Sequence, residues 1–191
     1  MNMGSYVVTP ASAKLFSFDE LKDHLRFVEV EDQADANRKA SAAVAWCEQY
    51  TRRNFLTTTR RLRLRRFPNC SEIQLDYPPW QSIGSISYLD PFGDSQTLST
   101  DVYGFDEDRG QIYLKSGKLW PCTLSQQNAI TITFDVGWTS KDLVPDDIKQ
   151  ACLFLFGHNY ANREAVVVGS ISADVKMTVK EYLDAWVSPR Y

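Results

Sequence analysis

Two histidines, four cysteines and several runs of carboxylates are the residues here that could do chemistry, and their spacing limits what they can do. His24 and His158 are far apart, and neither neighbours a second histidine, a C-x-x-C pair or a serine-nucleophile motif. Local sequence therefore offers no nucleophile with its base, the pairing from which an active site is built. Cys47, Cys70, Cys122 and Cys152 form no C-x-x-C, so a structural zinc or redox motif is not indicated. Asp106-Glu-Asp108 could attract a divalent cation, but it precedes Arg109 and Gly110 and lacks the ligand spacing of a calcium loop. Glu29, Glu31, Asp32 and Asp35 form a second acidic cluster, which Asp32 as a helix N-cap with Asp35 in the first turn explains at less cost. Neither G-x-G-x-x-G nor G-K-[ST] occurs, so no phosphate loop is present. These residues point to a chain that is not an enzyme, with no catalytic residue, metal ligand or cofactor site.

The arginines carry a stronger pattern. Arg52, Arg53, Arg60, Arg61, Arg63, Arg65 and Arg66 are clustered on a chain whose net charge is -3. Within them, Arg61-Leu-Arg-Leu-Arg65 alternates with period two. A strand there sets Arg61, Arg63 and Arg65 on one face, opposite Leu62 and Leu64. Such a face can meet DNA phosphates or an acidic partner. It can equally be a solvated face whose charges protect a sheet edge. No aromatic residue interleaves with these arginines, so base stacking is not indicated.

The elements that position these residues follow from periodicity. Ser17 and Glu20 have capping-box spacing and open a helix carrying Phe18, Leu21 and Leu25 on one face. The segment Val28 to Asp32 breaks it. A second helix runs from about Asp32 to Asn54, with Ala36, Ala40, Ala43, Val44, Cys47 and Tyr50 at helical spacing. Its small alanines allow another helix to approach closely. From Leu56 the period changes to two. Short strands are predicted at 73–75, 83–89, 96–98, 111–114 and 130–136, separated by turns at Tyr77-Pro-Pro79, Asp90-Pro-Phe-Gly93 and Asp108-Arg-Gly110.

A third helix starts at Pro145, whose missing N–H costs nothing in a first turn, with Asp146 and Asp147 at its positive end. It is apolar almost all round. Leu153, Phe154, Leu155 and Phe156 point in successive directions about 100° apart, so one neighbouring helix cannot cover them all. Packing within the core and against the strands or a neighbouring subunit is expected. Val166 to Ile171 reads as an exposed or partner-bound loop. Thr178 and Glu181 again have capping-box spacing, opening a short final helix that ends before Pro189. The fold class is therefore α+β, a helical core of about four helices with an antiparallel β insertion between the second and third. The expected segments are an N-terminal extension (1–14), helical core (15–56), β insertion (57–140), helical core again (141–171) and a C-terminal segment (172–191).

Composition sets the bounds. The chain has 191 residues, enough for one domain or one domain with an insertion, and 43% hydrophobic residues suffice for a core. Aromatic residues make up 13%, a content that a large core or an interface would each use. Cys47 and Cys152 lie on apolar helix faces and read as small buried hydrophobes, consistent with reduced thiols in a cytoplasm. No signal peptide is visible at the N-terminus, and no apolar stretch approaches a membrane span, so no membrane partner is expected.

The order of several short motifs carries a resemblance. Phe18-Asp-Glu-Leu-Lys-Asp-His-Leu25 is followed by Trp46-Cys-Glu-Gln-Tyr-Thr-Arg-Arg53, Leu75-Asp-Tyr-Pro-Pro-Trp-Gln-Ser-Ile83 and Ile86-Ser-Tyr-Leu-Asp90. The chain closes with Ile132-Thr-Phe-Asp-Val-Gly-Trp138, Val144-Pro-Asp-Asp-Ile-Lys-Gln-Ala151 and His158-Asn-Tyr-Ala-Asn-Arg-Glu164. Over roughly residues 15 to 190 the chain resembles the head–tail connector (adaptor) proteins of tailed bacteriophages and gene transfer agents. The resemblance implies a structural protein of the virion neck, assembled in the bacterial host cytoplasm. It implies a homo-oligomeric ring, usually of 12 subunits, that extends the DNA channel below the portal. The implied partners are the portal protein, a tail-side stopper or terminator, and DNA in the channel through non-specific contact. Tyr182, Leu183, Trp186, Arg190 and Tyr191 are the implied portal anchors. The alternatives are another neck role, as a head-completion stopper or tail terminator, and a nucleic-acid-binding module. The N-terminal extension, Met1 to Lys14, is not explained by the family pattern.

Overall fold

The computed structural model describes residues 4–25, 33–161 and 173–189, without the side chains of 173–176. The expected helix break at Val28 to Asp32, the loop at Val166 to Ile171, and Arg190 and Tyr191 lie outside the described residues, as do Glu29 and Glu31. Among the described residues there are four α-helices: α1 (Phe18–Leu25), α2 (Gln33–Thr51), α3 (Asp146–Ala161) and α4 (Ala173–Leu183). Eight strands accompany them: β1 (Tyr6–Thr9), β2 (Thr58–Leu64), β3 (Glu72–Gln74), β4 (Trp80–Leu89), β5 (Ser95–Thr97), β6 (Tyr103–Asp106), β7 (Gln111–Leu114) and β8 (Ile130–Val136). The fold is α+β, with the β-rich region between α2 and α3. The chain divides into a β unit, built on Thr57–Trp138 and the strand β1, and a helical unit, built on Ala13–Leu56 and Thr139–Ser188.

In the β unit, an antiparallel five-stranded sheet has the order β1-β2-β8-β4-β5, and a three-stranded sheet the order β3-β7-β6. The central strand β8 explains why. Its Ile130, Ile132, Phe134 and Val136 are all buried, and the residues between them are half-buried. This period-two pattern aims one face at a core and the other outward. Ile132 pairs with Leu62 on one side and Ile86 on the other, so three apolar side chains line up across the sheet. Ile73, Leu75 and Ile112 from the region of the second sheet join the same core.

Two strands are absent from the sequence pattern. In β1 all four residues are exposed, so no alternation marks it; it exists because it pairs with β2. In β6, Gly104 interrupts the apolar pattern. Gly104 pairs with Tyr113, and a Cβ on it would fall 2.4 Å from the tyrosine ring. The glycine makes room for an aromatic ring across the strands. Gly110, in the β6–β7 turn, has φ +64, and a Cβ there would fall 2.1 Å from the Trp80 ring. Gly110→Ala is therefore strained in backbone and side chain alike. It should lower the thermal midpoint, whereas Gly93→Ala, with open space around it, meets only the backbone penalty of φ +92.

In the helical unit the capping box forms as expected. The Ser17 N–H donates to Glu20 Oε2 at 2.6 Å, and the Glu20 N–H to Ser17 Oγ at 3.3 Å. Lys141 Nζ also donates to Glu20 Oε1 at 2.9 Å, and this bond, with those from Ser17, holds the Glu20 carboxyl below its ordinary pKa. A carboxyl with a depressed folded-state pKa adds stability above its unfolded value and loses it as pH falls through the folded one. Stability of this unit should therefore decline on acidification through the glutamate range. Glu20→Gln should reduce that slope in a pH series of denaturant unfolding curves.

Ala36, Ala40, Ala43 and Cys47 form the buried stripe of α2, and Ile148, Ala151, Cys152, Leu155 and Phe156 the buried side of α3. The two cysteines are buried, as their apolar faces suggest. A hydrogen bond that the Cys152 thiol donates to Cys47, together with burial, pushes that thiol well above its ordinary value. Pro145 stands just before α3, its carbonyl accepting from the Lys149 N–H at 3.2 Å. One expectation fails. Thr178 does not cap the last helix, because α4 already runs from Ala173. The Thr-x-x-Glu spacing occurs inside a helix as readily as at its start, and only the backbone conformation tells the two apart.

Candidate interaction surface

The arginine ridge separates into buried and outward-facing members. In β2, Thr58, Arg60 and Leu62 are buried, while Thr59, Arg61 and Arg63 alternate with them on the other face. Arg60 is only 5% exposed. Its Nε donates to Ser5 Oγ at 2.6 Å, its Nη2 to the Ser5 carbonyl at 2.8 Å, and its guanidinium lies 3.5 Å from the Tyr77 ring centroid. Arg52 and Arg53 belong to the helical unit, donating to the carbonyls of Ser188 at 3.3 Å and Trp186 at 2.6 Å. These three are structural residues, a distinction that clustering in the sequence does not reveal. Among the described residues, no carboxylate lies within 4.0 Å of Arg61, Arg63, Arg65 or Arg66.

The register continues the outward face across the sheet. Arg61 pairs with Thr133, and Thr133 with Ser85. Arg63 pairs with Thr131, and Thr131 with Ser87. Each arginine thus begins a row of hydroxyl residues. The next row holds Thr59 and Asp135, whose side chains bond at 2.7 Å. Tyr6 in β1 pairs with Arg61, and its ring centroid lies 5.0 Å from the Arg63 guanidinium. An aromatic residue does accompany the arginines, but it comes from another strand. The face offers guanidinium and hydroxyl donors, the groups that meet phosphate oxygens or carboxylates without reading sequence. Arg65 lies beyond the end of β2, exposed in the bend it shares with Arg66. The hydroxyl rows were visible as the polar half of the β8 alternation; Tyr6 was not, since β1 has no pattern.

The other named residues lie in the helical unit. In α3, Leu155 and Phe156 are buried, Leu153 is half-buried and Phe154 is 38% exposed. The Phe154 ring lies 5.8 Å from that of Tyr182, which is also partly exposed. Leu183 is fully buried, and Trp186 is half-buried with its ring 5.8 Å from the Arg53 guanidinium. The Ser188 N–H donates to the Thr51 carbonyl at 2.8 Å. Tyr182, Leu183 and Trp186 thus do not share one exposed stripe: Leu183 points into the unit and Tyr182 outward.

Among the described residues no group of three or more His, Cys, Asp or Glu side chains is placed to hold an ion. The Asp106 carboxylate instead accepts the N–H groups of Asp108 and Arg109, each at 3.1 Å, and shapes its own turn. Among the described residues no helix is long and apolar enough to cross a membrane.

Comparison with solved structures gives the arrangement a context. One match is the neck of an empty GTA particle computed with C6 symmetry, with a TM-score of 0.79 and 20% identity over 99% of this chain and 97% of the other. The fold is that of gene transfer agent neck proteins. The virion of a native gene transfer agent particle and the neck of a native GTA particle computed with C12 symmetry match over the same shares, each with a TM-score of 0.77 and 20% identity. No protein-family model and no curated protein matches the chain.

Proposed function

We propose that this chain is a structural head–tail adaptor of the virion neck, which forms a ring below the portal, extends the DNA channel and joins capsid to tail. One observation carries the reading: the match to a chain from the neck of a GTA particle covers 99% of this chain and 97% of that one, with a TM-score of 0.79. Those necks were computed with sixfold and twelvefold symmetry, which supports a ring of 12 copies. The portal protein is the partner on the head side and a stopper or terminator on the tail side. Adaptor work needs no chemistry, in keeping with the lack of a nucleophile–base pair in the sequence. In a ring, Arg61, Arg63 and Arg65 repeat into a positive band, however acidic the single chain, aimed at channel DNA or an acidic neighbour. Tyr182, Trp186, Arg190 and Tyr191 are the portal-facing candidates, aromatic and arginine anchors being common at interface centres.

Binding of the full-length protein to purified portal tests this reading. A twelvefold complex in native mass measurement supports it. Binding only to tail-side components assigns the stopper or terminator role instead. The ridge has a separate test. Arg65→Ser with Arg66→Ser, both exposed, should leave unfolding free energy within about 0.5 kcal/mol, as exposed substitutions usually do. The same pair should measurably weaken docking or DNA retention, more so at low salt.

A further inference from the structure

We propose that a groove beside the distal half of β2 takes up an extended acidic segment of a partner protein as an added β-strand. The groove has a volume of about 750 Å³ and lies wholly within the β unit. Residues of β2 and the bend after it (62–66) line it together with the residues of β3, Glu72, Ile73 and Gln74. Among the described residues both strands have an open edge. β1 covers β2 only at Thr59, Arg60 and Arg61, and among the described residues no strand pairs with the same edge at 62–64. β3 pairs with β7 and is the outermost strand of its sheet. Open edges present unpaired N–H and C=O groups, the template for adding a strand from another chain.

The side chains specify which strand. Leu62, Phe67 and Ile73 are buried residues of the lining and give it an apolar base. Arg63, Arg65 and Arg66 also line it, against the single acid Glu72. Because no carboxylate lies within 4.0 Å of those arginines among the described residues, their charge is available to a ligand. A strand with apolar residues on one face and carboxylates on the other satisfies both at once. A nucleic-acid backbone would use the arginines but gain nothing from the apolar base or the strand edges. This inference rests on the electrostatic role proposed above for Arg63 and Arg65; it does not require the ring.

Fluorescence anisotropy of the full-length protein tests it, with a labelled peptide of alternating valine and glutamate as probe. Controls are the glutamine counterpart, a version N-methylated at alternate backbone nitrogens, and a random-sequence DNA duplex. Saturable binding of the glutamate peptide is expected. Glutamine replacement or N-methylation should each weaken it by about tenfold or more. Arg65→Glu with Arg66→Glu, both at exposed positions, should abolish it while circular dichroism stays unchanged. Absence of binding, equal binding of the N-methylated peptide, or displacement of the peptide by DNA at lower concentration would each overturn the strand-addition slot. If the slot fails but the double variant still weakens docking to portal or tail components, the electrostatic role survives it. If that variant changes neither, both fall.

Discussion

Phe156→Asp should unfold the helical unit. Phe156 is fully buried, on a helix whose Ile148, Ala151, Cys152 and Leu155 are buried with it. Aspartate there loses the packing of an aromatic ring, about 3–5 kcal/mol for truncation alone. It also places a carboxylate in an apolar site, adding several kcal/mol unless the group takes up a proton. The sum approaches the whole stability of an ordinary domain, about 5–15 kcal/mol. Phe154→Asp, two residues away, should cost far less, because Phe154 is 38% exposed and its recorded ring partner is the partly exposed Tyr182. Denaturant unfolding followed by near-ultraviolet circular dichroism separates the two. Equal destabilisation by both would mean that the exposed side of α3 is as tightly packed as its inner side.

Removal of residues 178–191 is the second large effect. A detachable hook would leave a folded protein behind. The packing here indicates otherwise, since Val179 and Leu183 are fully buried and Ser188 bonds to the end of α2. Leu183→Ala alone should cost about 2–5 kcal/mol. The truncation should therefore give an insoluble or loosely folded helical unit, and loss of portal binding by it would report folding. Tyr182→Ser is the cleaner probe: it removes a partly exposed ring and should weaken portal binding without a comparable fall in the unfolding midpoint. A soluble truncation with an unchanged midpoint would contradict the packing of α4.

What the sequence made legible was whatever leaves a periodic trace. The alternation of residues 130–136 marked β8, the alanine stripe marked α2, and the Ser17–Glu20 box marked the start of α1. Elements held by partners leave no such trace. β1 is exposed at every position and is fixed by its register with β2; β6 is masked by a glycine that serves the ring of Tyr113. The same limit applies to the candidate surface. Alternation placed Arg61 and Arg63 on one face. It could not show that Arg60, in the same run, is enclosed by Ser5 and Tyr77, residues 55 and 17 positions before and after it. Nor could it show that the edges of β2 and β3 both border one groove, since strand edges are set by topology.

The most direct measurement is a cryo-EM reconstruction of the neck of a particle assembled with this protein. Twelve copies in a ring against the portal, with Arg61 and Arg63 turned to the channel or to an acidic neighbour, is the expected result. A ring separated from the portal by another protein, or these arginines on the outer wall touching neither DNA nor protein, would contradict it.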